Sequence, residues 1–256
     1  MNWLQLLSTD TAVGRLLHWS RAVLDIVVLL VRNPSRESLF FARMILKLKP
    51  RYTMVTNGNL IALYRFVEQA NRERIPGDLV QCGVWNGGSA ALMGLAQVRS
   101  GTPGLDRRLW LFDSFEGLPP PGGQDGRRER EQFFKGLTCG RVEAVRSAFR
   151  RVGVPFGLCE VVKGWFQDTF PATPVGPIAL LHVDADWYDS VKLCLDTYYD
   201  RVAPGGFVVL DDYHYWEGCD RAVRDFLRER GLTGIRVTPT DRAGGCFRKP
   251  QTAPVQ

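Results

Sequence analysis

The chain of 256 residues is 45% hydrophobic and 23% charged, a balance typical of a soluble globular protein with a large core. Its net charge of +6 comes largely from runs in which acids and bases alternate, such as DGRRERE, so we expect a solvated surface and no nucleic-acid partner. The six cysteines form no CxxC pair and no metal-ligand spacing, which argues against a disulfide framework and indicates a cytoplasmic protein with reduced thiols.

The N-terminal residues 1–57 are predicted to form helices that cover the rest of the chain. Apolar residues recur at helical spacing in TAVGRLLHWSRAVLDIVVLLV and again in SRESLFFARMILKLKP, which ends at Pro50. The run AVLDIVVLLV is interrupted by Asp25 and is too short to span a membrane, and no signal-peptide cleavage site accompanies it. We therefore expect a helical lid and no transmembrane segment, with weak association at a membrane surface as the alternative.

From residue 58 onward, apolar runs alternate with helical patterns of roughly ten to fifteen residues. The segments DLVQCGV, RLWLFDSF, CEVVKGWF, PIALLHVD and GGFVVLDDY predict buried strands, and helical patterns lie between them. This order predicts a doubly wound, mostly parallel α/β sheet over residues 58–256. IRVTPT and GGCFRKP predict an antiparallel pair that closes the sheet, and EGLPPPGGQDG predicts a long surface loop.

Glycines and polar residues stand where the predicted strands end, the edge at which such sheets bind ligands. A glycine-rich turn begins at Gly83, and its spacing is not GxGxxG, which disfavours a dinucleotide. Asp113, after the second strand, is placed to accept hydrogen bonds from a ribose diol or to cap a turn. Trp165 and Phe166, after the third strand, either sandwich a purine or pack in the core.

Five acids crowd the ends of the fourth and fifth strands. Asp184, Asp211 and Asp212 would repel one another unless a cation lay between them, and ligands that are all oxygen favour Mg²⁺. Asp186 can face the same cleft without being a ligand, and helix capping is the alternative for Asp186 or Asp189.

Three other polar residues near these strand ends are not assigned to the metal. Asp189 is predicted to cap a helix that begins at Ser190. His182 lies within a strand and is predicted to be a hydrogen-bonded core residue. His214 follows the acid pair in DDYHYWEG and is a candidate for contact with a substrate.

These motifs occur in the order found in the macrocin O-methyltransferase family, which the chain resembles from about Arg51 to Leu227. The resemblance is carried by RYTM, GDLVQCGVWNGGS, LFDSFEGLP, KGWFQDTFP, DADWYDS and PGGFVVLDDYHYWEG. It implies a Rossmann-like class I methyltransferase fold, with S-adenosylmethionine and Mg²⁺ as cofactors and an antibiotic sugar as the acceptor. It also implies that the N-terminal helices form a lid and part of the interface of a homo-oligomer, a dimer or larger.

The resemblance implies roles for individual residues as well. The implied metal ligands are Asp184, Asp211 and Asp212. The implied cofactor-binding residues are Tyr52, Met54, Gln81, Gly83, Trp85, Ser89, Asp113, Ser114, Gly164, Trp165, Phe166 and Asp184. Asp186 would be the general base, and Tyr213 and His214 would contact the substrate.

The predicted reaction moves the methyl group of S-adenosylmethionine to one hydroxyl of a vicinal diol, on a sugar of a natural-product glycoside. A catechol-like diol would satisfy the same metal geometry. A nucleotide-dependent oxidoreductase and a non-catalytic S-adenosylmethionine-binding protein are the alternatives from other classes, and the absent GxGxxG and the complete acid set argue against them. Gln81 stands where the family usually has glutamate and Asn86 where it has a basic residue, which predicts weaker cofactor affinity.

Overall fold

The computed structural model describes residues 12–104 and 106–251. The helices are α1 (Ala12–Arg32), α2 (Arg36–Leu48), α3 (Asn57–Arg72), α4 (Gly88–Ser100), α5 (Arg127–Gln132), α6 (Val142–Val152), α7 (Phe166–Ala172), α8 (Tyr188–Tyr198) and α9 (Glu217–Glu229). The strands are β1 (Asp78–Cys82), β2 (Leu109–Asp113), β3 (Cys159–Lys163), β4 (Ile178–Val183), β5 (Val202–Leu210), β6 (Thr238–Pro239) and β7 (Gly245–Arg248).

The strands form one sheet in the order β3-β2-β1-β4-β5-β7-β6. Strands β1 to β5 pair in parallel, and β7 is antiparallel to both β5 and β6. The doubly wound, mostly parallel sheet and its antiparallel closing pair are therefore confirmed. The order reverses between β1 and β4, and the crevice at such a switch point is where these sheets bind ligands.

The register of the sheet brings its central strand ends to one level. Cys82 at the end of β1 lies opposite Phe112 on β2 and Val183 on β4, and Val183 lies opposite Leu210 on β5. The residues that follow these strands therefore gather along a single edge. This alignment places the predicted site residues in one region of the molecule.

Two apolar layers cover the faces of the sheet. All six residues of β4 are buried, as expected for a strand in the middle of a parallel sheet. Because side chains alternate along a strand, Leu180 packs in the layer that includes α3, α4 and α6, and Leu181 packs in the layer that includes α8 and α9. The strands are thus fixed from both sides, which holds their ends rigidly.

The N-terminal helices confirm the helical prediction over the described part of the lid segment, and residues 1–11 lie outside that part. Helix α2 begins after Ser35, whose Oγ accepts a hydrogen bond from the backbone N–H of Ser38. Helix α1 buries Ile26 but leaves Val27 50% and Val31 75% exposed, so an apolar stripe faces outward. Among the described residues, no helix is long and apolar enough to cross a membrane.

The prediction that Asp189 caps a helix beginning at Ser190 is wrong. Helix α8 begins at Tyr188, so Asp189 lies inside its first turn. The backbone N–H of Tyr188 donates instead to the Asp125 carboxylate, at 2.8 Å, from the long loop after β2. A carboxylate distant in sequence therefore performs the capping that was assigned to a local one.

Candidate active site

A cavity of about 1500 Å³ opens at the carboxyl edge of the sheet. The segments that follow β1, β2, β4 and β5 line it, and Leu17, Arg21 and Asp25 of α1 contribute to its wall. Single-ligand pockets are commonly about 300–1000 Å³. The space is therefore sufficient for a nucleoside-sized cofactor together with a second molecule.

Most of the predicted cofactor residues line this cavity. Those on its wall are Tyr52, Met54, Gly83, Trp85, Ser89, Asp113, Ser114, Trp165, Phe166 and Asp184. Gln81 and Gly164 lie behind the wall and do not line it. The structure thus brings together ten of the twelve residues that the sequence assigned to the cofactor.

Gln81 supports the glycine turn after β1. Its side chain is fully buried, and its Nε2 donates to the carbonyl of Gly83 and to Oγ of Ser89, both at 2.8 Å. Gly83 has φ +85°, and a Cβ there would lie 1.7 Å from the carbonyl oxygen of Asp184, so only glycine fits. The amide of Gln81 is therefore part of the scaffold that lets β1 and β4 approach closely at the cavity floor.

Asp113 organises the same turn from the end of β2. Its Oδ2 accepts backbone N–H bonds from Val84 at 2.7 Å and Trp85 at 2.8 Å, and its Oδ1 accepts one from Phe115 at 2.6 Å. Burial raises the pKa of this carboxyl, and the three hydrogen bonds oppose that rise. The turn-capping interpretation is thus realised, and the carboxylate still lines the cavity with acceptor capacity that a ribose diol can use.

The segment between α2 and α3 closes over the glycine turn. The carbonyl of Tyr52 accepts the backbone N–H of Gly88 at 2.7 Å, and the Tyr52 hydroxyl lies 3.0 Å from Oγ of Ser147. Across the cavity, Phe166 stacks on Phe170 with ring centroids 4.8 Å apart, so it packs in the core and also lines the cavity. Both walls of this half of the cavity are therefore held in place.

Three half-buried acids converge on the cavity floor. Asp184 follows β4, Asp212 follows β5, and each offers a carboxylate oxygen that lies within 4.8 Å of the others and of one from Asp186. Burial raises the pKa values of Asp184 and Asp212 well above the ordinary value of an aspartate, and the neighbouring carboxylates raise them further. Burial also raises the pKa of Asp186, to about 6. We call Asp184, Asp186 and Asp212 the carboxylate cluster.

Asp211 lies beside the carboxylate cluster and is not one of its three members. Its Oδ1 accepts a hydrogen bond from Nδ2 of Asn59, and burial raises its pKa to about 7. His182 Nε2 is 4.0 Å from the same oxygen. The role of Asp211 as a metal ligand stays a prediction, and Asp186, which was expected to face the same cleft, lies close to Asp184 and Asp212.

The prediction of a hydrogen-bonded His182 is wrong. The ring is fully buried, and neither nitrogen has a hydrogen-bond partner among the described residues. Burial lowers the pKa of His182 to about 3, so the imidazole is neutral near pH 7. His182 therefore adds no positive charge to balance the acids.

Asp186 is held in a specific orientation by the chain segment after β5. Its backbone has φ +55°, an uncommon conformation for a residue with a side chain. The indole Nε1 of Trp216 donates to its Oδ1 at 2.8 Å. The structure thus fixes the carboxylate that the sequence assigned as the base.

The two predicted substrate residues do not reach the cavity. His214 is exposed, and the Tyr213 side chain interacts with Asp220 outside the site. The next two residues of the same motif, Tyr215 and Trp216, line the cavity instead. The motif therefore lies beside the cavity, and the turn after β5 determines which of its side chains line it.

Three residues in or behind the cavity wall were not predicted from the sequence. Asn59 is fully buried on α3 behind the wall, and no local pattern indicated it, because its bond to Asp211 joins distant parts of the chain. Lys49 lines the cavity, and burial lowers its pKa to about 8 against the opposing effect of Asp211. Arg128 lines the cavity from α5, in the long connection after β2.

The donor set of the carboxylate cluster fits a hard divalent cation. Its ligands are all oxygen, they are half-buried, and no lysine or arginine forms an ion pair with any of the three among the described residues. Close carboxylates of this kind need a counter-charge in order to ionise together. The other half of the cavity fits a nucleoside, with Asp113 and the rings of Trp165 and Phe166 around it.

Comparison with known proteins agrees with this geometry. The profile of the family described as macrocin-O-methyltransferase (TylF) matches residues 47–249. The chain belongs to the macrocin O-methyltransferase family. The predicted enzyme class is therefore confirmed, and this family member is an S-adenosylmethionine-dependent O-methyltransferase.

Three curated relatives are similar to this macrocin-family enzyme over most of its length. The 8-demethyl-8-(2,3-dimethoxy-alpha-L-rhamnosyl)-tetracenomycin-C 4'-O-methyltransferase of Streptomyces olivaceus is 37% identical over 187 residues, 72% of this chain and 69% of that protein. The demethyldecarbamoylnovobiocin O-methyltransferase of Streptomyces niveus is 32% identical, covering 75% of this chain and 74% of that protein. The mycinamicin III 3''-O-methyltransferase of Micromonospora griseorubida is 30% identical, covering 77% and 78%.

Solved structures show the same fold. The O-methyltransferase NovP superposes with a TM-score of 0.70 at 30% identity, covering 78% of this macrocin-family chain and 82% of NovP. The O-methyltransferase TomG from Streptomyces achromogenes, solved in complex with SAM, has a TM-score of 0.54 at 16% identity, covering 83% and 89%. The predicted class I methyltransferase fold is therefore confirmed.

Proposed function

We propose that this methyltransferase transfers the methyl group of S-adenosylmethionine to one hydroxyl of a vicinal diol, on a sugar of a natural-product glycoside, with Mg²⁺ as cofactor. The observation that carries the proposal is the convergence of Asp184, Asp186 and Asp212 on the floor of a cavity large enough for two ligands. The name of the Streptomyces olivaceus relative, which specifies a rhamnosyl group and a 4'-O position, supports a sugar acceptor.

Asp184 and Asp212 would hold the Mg²⁺, and Asp211 beside them is the third predicted ligand. When bound, the ion supplies positive charge that offsets the carboxylates and favours loss of a proton from a nearby hydroxyl. The raised pKa values of Asp184 and Asp212 support this assignment, because both groups become easier to ionise once a cation shares their site. A vicinal diol presents two adjacent oxygens and suits a site that Mg²⁺ leaves partly open.

Asp186 would take the proton of the reacting hydroxyl. With a pKa of about 6 before any cation binds, it is ionised at neutral pH and still basic enough to accept a proton. The Trp216 indole holds Oδ1, so Oδ2 is the oxygen we assign to the proton transfer. The acceptor oxygen then forms a bond to the methyl carbon as the carbon–sulfur bond breaks, and S-adenosylhomocysteine leaves.

The cofactor would occupy the half of the cavity around the glycine turn. Asp113 would accept from the ribose diol, and the rings of Trp165 and Phe166 would flank the adenine. The indole Nε1 of Trp85 supports a polar ligand here, since it is buried and has no hydrogen-bond partner among the described residues. Gln81 would act on cofactor affinity through the turn that it supports, because its side chain does not line the cavity.

The segment 1–57 would serve as lid and oligomer interface. Asn57 Nδ2 donates to the carbonyl of Ala22 at 3.1 Å, which ties α1 to the start of α3 beside the cavity. The outward apolar stripe of α1, which includes Val27 and Val31, supports burial against a second copy of the chain. In that arrangement one side of α1 would cover the acceptor and the other would join two subunits.

A methyl-transfer assay with mass detection tests the proposed function. The purified enzyme is incubated with S-adenosylmethionine and a panel of rhamnosylated tetracenomycins, other glycosides and catechols, with and without a chelator. We expect a singly methylated glycoside that disappears in chelator and returns when Mg²⁺ is restored. Methylation that persists in chelator would contradict the metal assignment, and methylation of catechols in preference to glycosides would contradict the sugar assignment.

A further inference from the structure

We infer that the segment 119–132, in the long loop after β2, positions the Asp186 carboxylate, with Glu129 as the positioning residue that acts through Trp216. The inference rests on the proposed role of Asp186 as the base. It assigns a task to a segment that the sequence indicated only as a surface loop. Four contacts from this segment reach the two turns that carry the acids.

The first two contacts fix the turn after β4. The indole Nε1 of Trp187 donates to the carbonyl of Pro119 at 2.8 Å, and the backbone N–H of Tyr188 donates to Oδ1 of Asp125 at 2.8 Å. Trp187 and Tyr188 directly follow Asp186. Because Asp186 has a positive φ, its conformation persists only if the surrounding contacts over-determine it, and these two bonds hold its C-terminal side.

The other two contacts fix the turn after β5. Glu129 Oε1 accepts the backbone N–H of Gly218 at 3.0 Å, in the first turn of α9. The guanidinium of Arg128 lies over the rings of Tyr215 and Trp216, at 4.2 and 5.1 Å from their centroids. Neighbouring residues of α5 thus hold both ends of the short stretch from Tyr215 to Gly218.

The two turns meet at a pair of indoles. The rings of Trp187 and Trp216 pack edge to face with centroids 5.2 Å apart, and Trp216 donates its N–H to Asp186. Movement of the turn after β5 would therefore withdraw the indole N–H from the carboxylate. The loop segment prevents that movement, because it is bonded to the turns on both sides of the indole pair.

Glu129 is the member of this set that can be tested most sharply. Its side chain is fully buried and its Oε2 has no hydrogen-bond partner among the described residues, so one acceptor oxygen performs the contact. Glutamine keeps an acceptor oxygen in the same position, whereas alanine removes it and leaves the Gly218 N–H unpaired. Glu131 is the matched control, since it lies on the same short helix and pairs at the surface with Arg127.

The test measures the indole N–H signal of Trp216 in ¹⁵N-labelled protein, identified by its loss in Trp216→Phe. We expect Asp186→Asn and Glu129→Ala each to shift this signal, Glu129→Gln to return it close to its wild-type position, and Glu131→Ala to leave it unchanged. A signal that stays in place in folded Glu129→Ala overturns the inference, and this measurement needs no acceptor.

Turnover provides the second readout. We expect Glu129→Ala to lower kcat by about tenfold or more with the KM for S-adenosylmethionine unchanged, and Glu129→Gln to recover most of it. If Glu129→Ala does not fold, Trp216→Phe should give the same fall in kcat, since it removes the indole N–H and keeps an aromatic ring. An unchanged kcat in either folded variant overturns the positioning role. Normal turnover in Asp186→Asn would instead refute the proposed base, while the indole shifts would still show the structural coupling.

Discussion

Removing one charge from the carboxylate cluster should stabilise the metal-free protein. Asp186→Asn keeps an oxygen that can accept the Trp216 N–H and abolishes an ionisation that burial opposes. The pKa of Asp186 in the folded protein is about 6, whereas an unperturbed aspartate has a model value of 3.8. The unfolded chain ionises at a lower pH than the folded protein. The free energy of unfolding of the wild type is therefore highest at low pH, and it falls as the pH rises from 3.8 to about 6.

The magnitude follows from the difference between the two pKa values. About 2 pH units at 1.36 kcal/mol each give a stabilisation of about 3 kcal/mol for Asp186→Asn above pH 7, and the difference disappears below about pH 3. For a chain of this size that corresponds to a rise in Tm of about 6–12 °C. Mg²⁺ should reduce the gap, because it binds the folded wild-type cluster and stabilises it by mass action.

The assay is thermal unfolding followed by circular dichroism, in chelator and in Mg²⁺, over a series of pH values. Asp189→Asn is the control, since Asp189 lines the same cavity and lies outside the carboxylate cluster. If Asp186→Asn and wild type melt at the same temperature in chelator near pH 8, ionisation of Asp186 does not destabilise the metal-free protein. The carboxylate cluster would then need no cation to balance its charge.

Three further predictions concern the cofactor, the lid and pH. Asp113→Asn should weaken binding of S-adenosylhomocysteine in calorimetry by at least tenfold, because one amide oxygen cannot accept the three backbone N–H bonds that order the turn; unchanged affinity would contradict this. Val27→Lys combined with Val31→Lys should lower the oligomeric state in light scattering without lowering Tm, and an unchanged mass would exclude α1 as the interface. Initial methyl-transfer rates should rise with pH to a plateau whose midpoint is at or below about 6, since Asp186 must be ionised to act and Mg²⁺ lowers its pKa; a rate that falls as pH rises from acid to neutral would contradict the base assignment.

The sequence predicted the sheet and its edge because both depend on local patterns. Runs such as PIALLHV are continuous and apolar, and the acids and glycines stand directly where these runs end. Once β1, β2, β4 and β5 are parallel and in level register, the residues after them must share one edge. Gly83, Asp113 and Asp184 could therefore be placed on one cavity from the order of motifs.

What the sequence could not predict depends on contacts between distant segments. The cap of α8 comes from Asp125, 63 residues earlier in the chain, and Asp211 is bonded by Asn59, 152 residues away. The exposure of His214 depends on how the turn after β5 rotates, which has no periodic signal. Gln81 was expected beside the cofactor, and its amide NH₂ instead donates to Gly83 and Ser89 behind the cavity wall.

The most direct test of the carboxylate cluster as the site of reaction is the turnover of Asp186→Asn in Mg²⁺, measured beside Asp189→Asn with the same glycoside acceptor. We expect Asp186→Asn to bind S-adenosylhomocysteine with wild-type affinity in calorimetry and to produce no methylated glycoside, while Asp189→Asn retains turnover. Methylation by Asp186→Asn at the wild-type rate would contradict the assignment of proton transfer to this carboxylate.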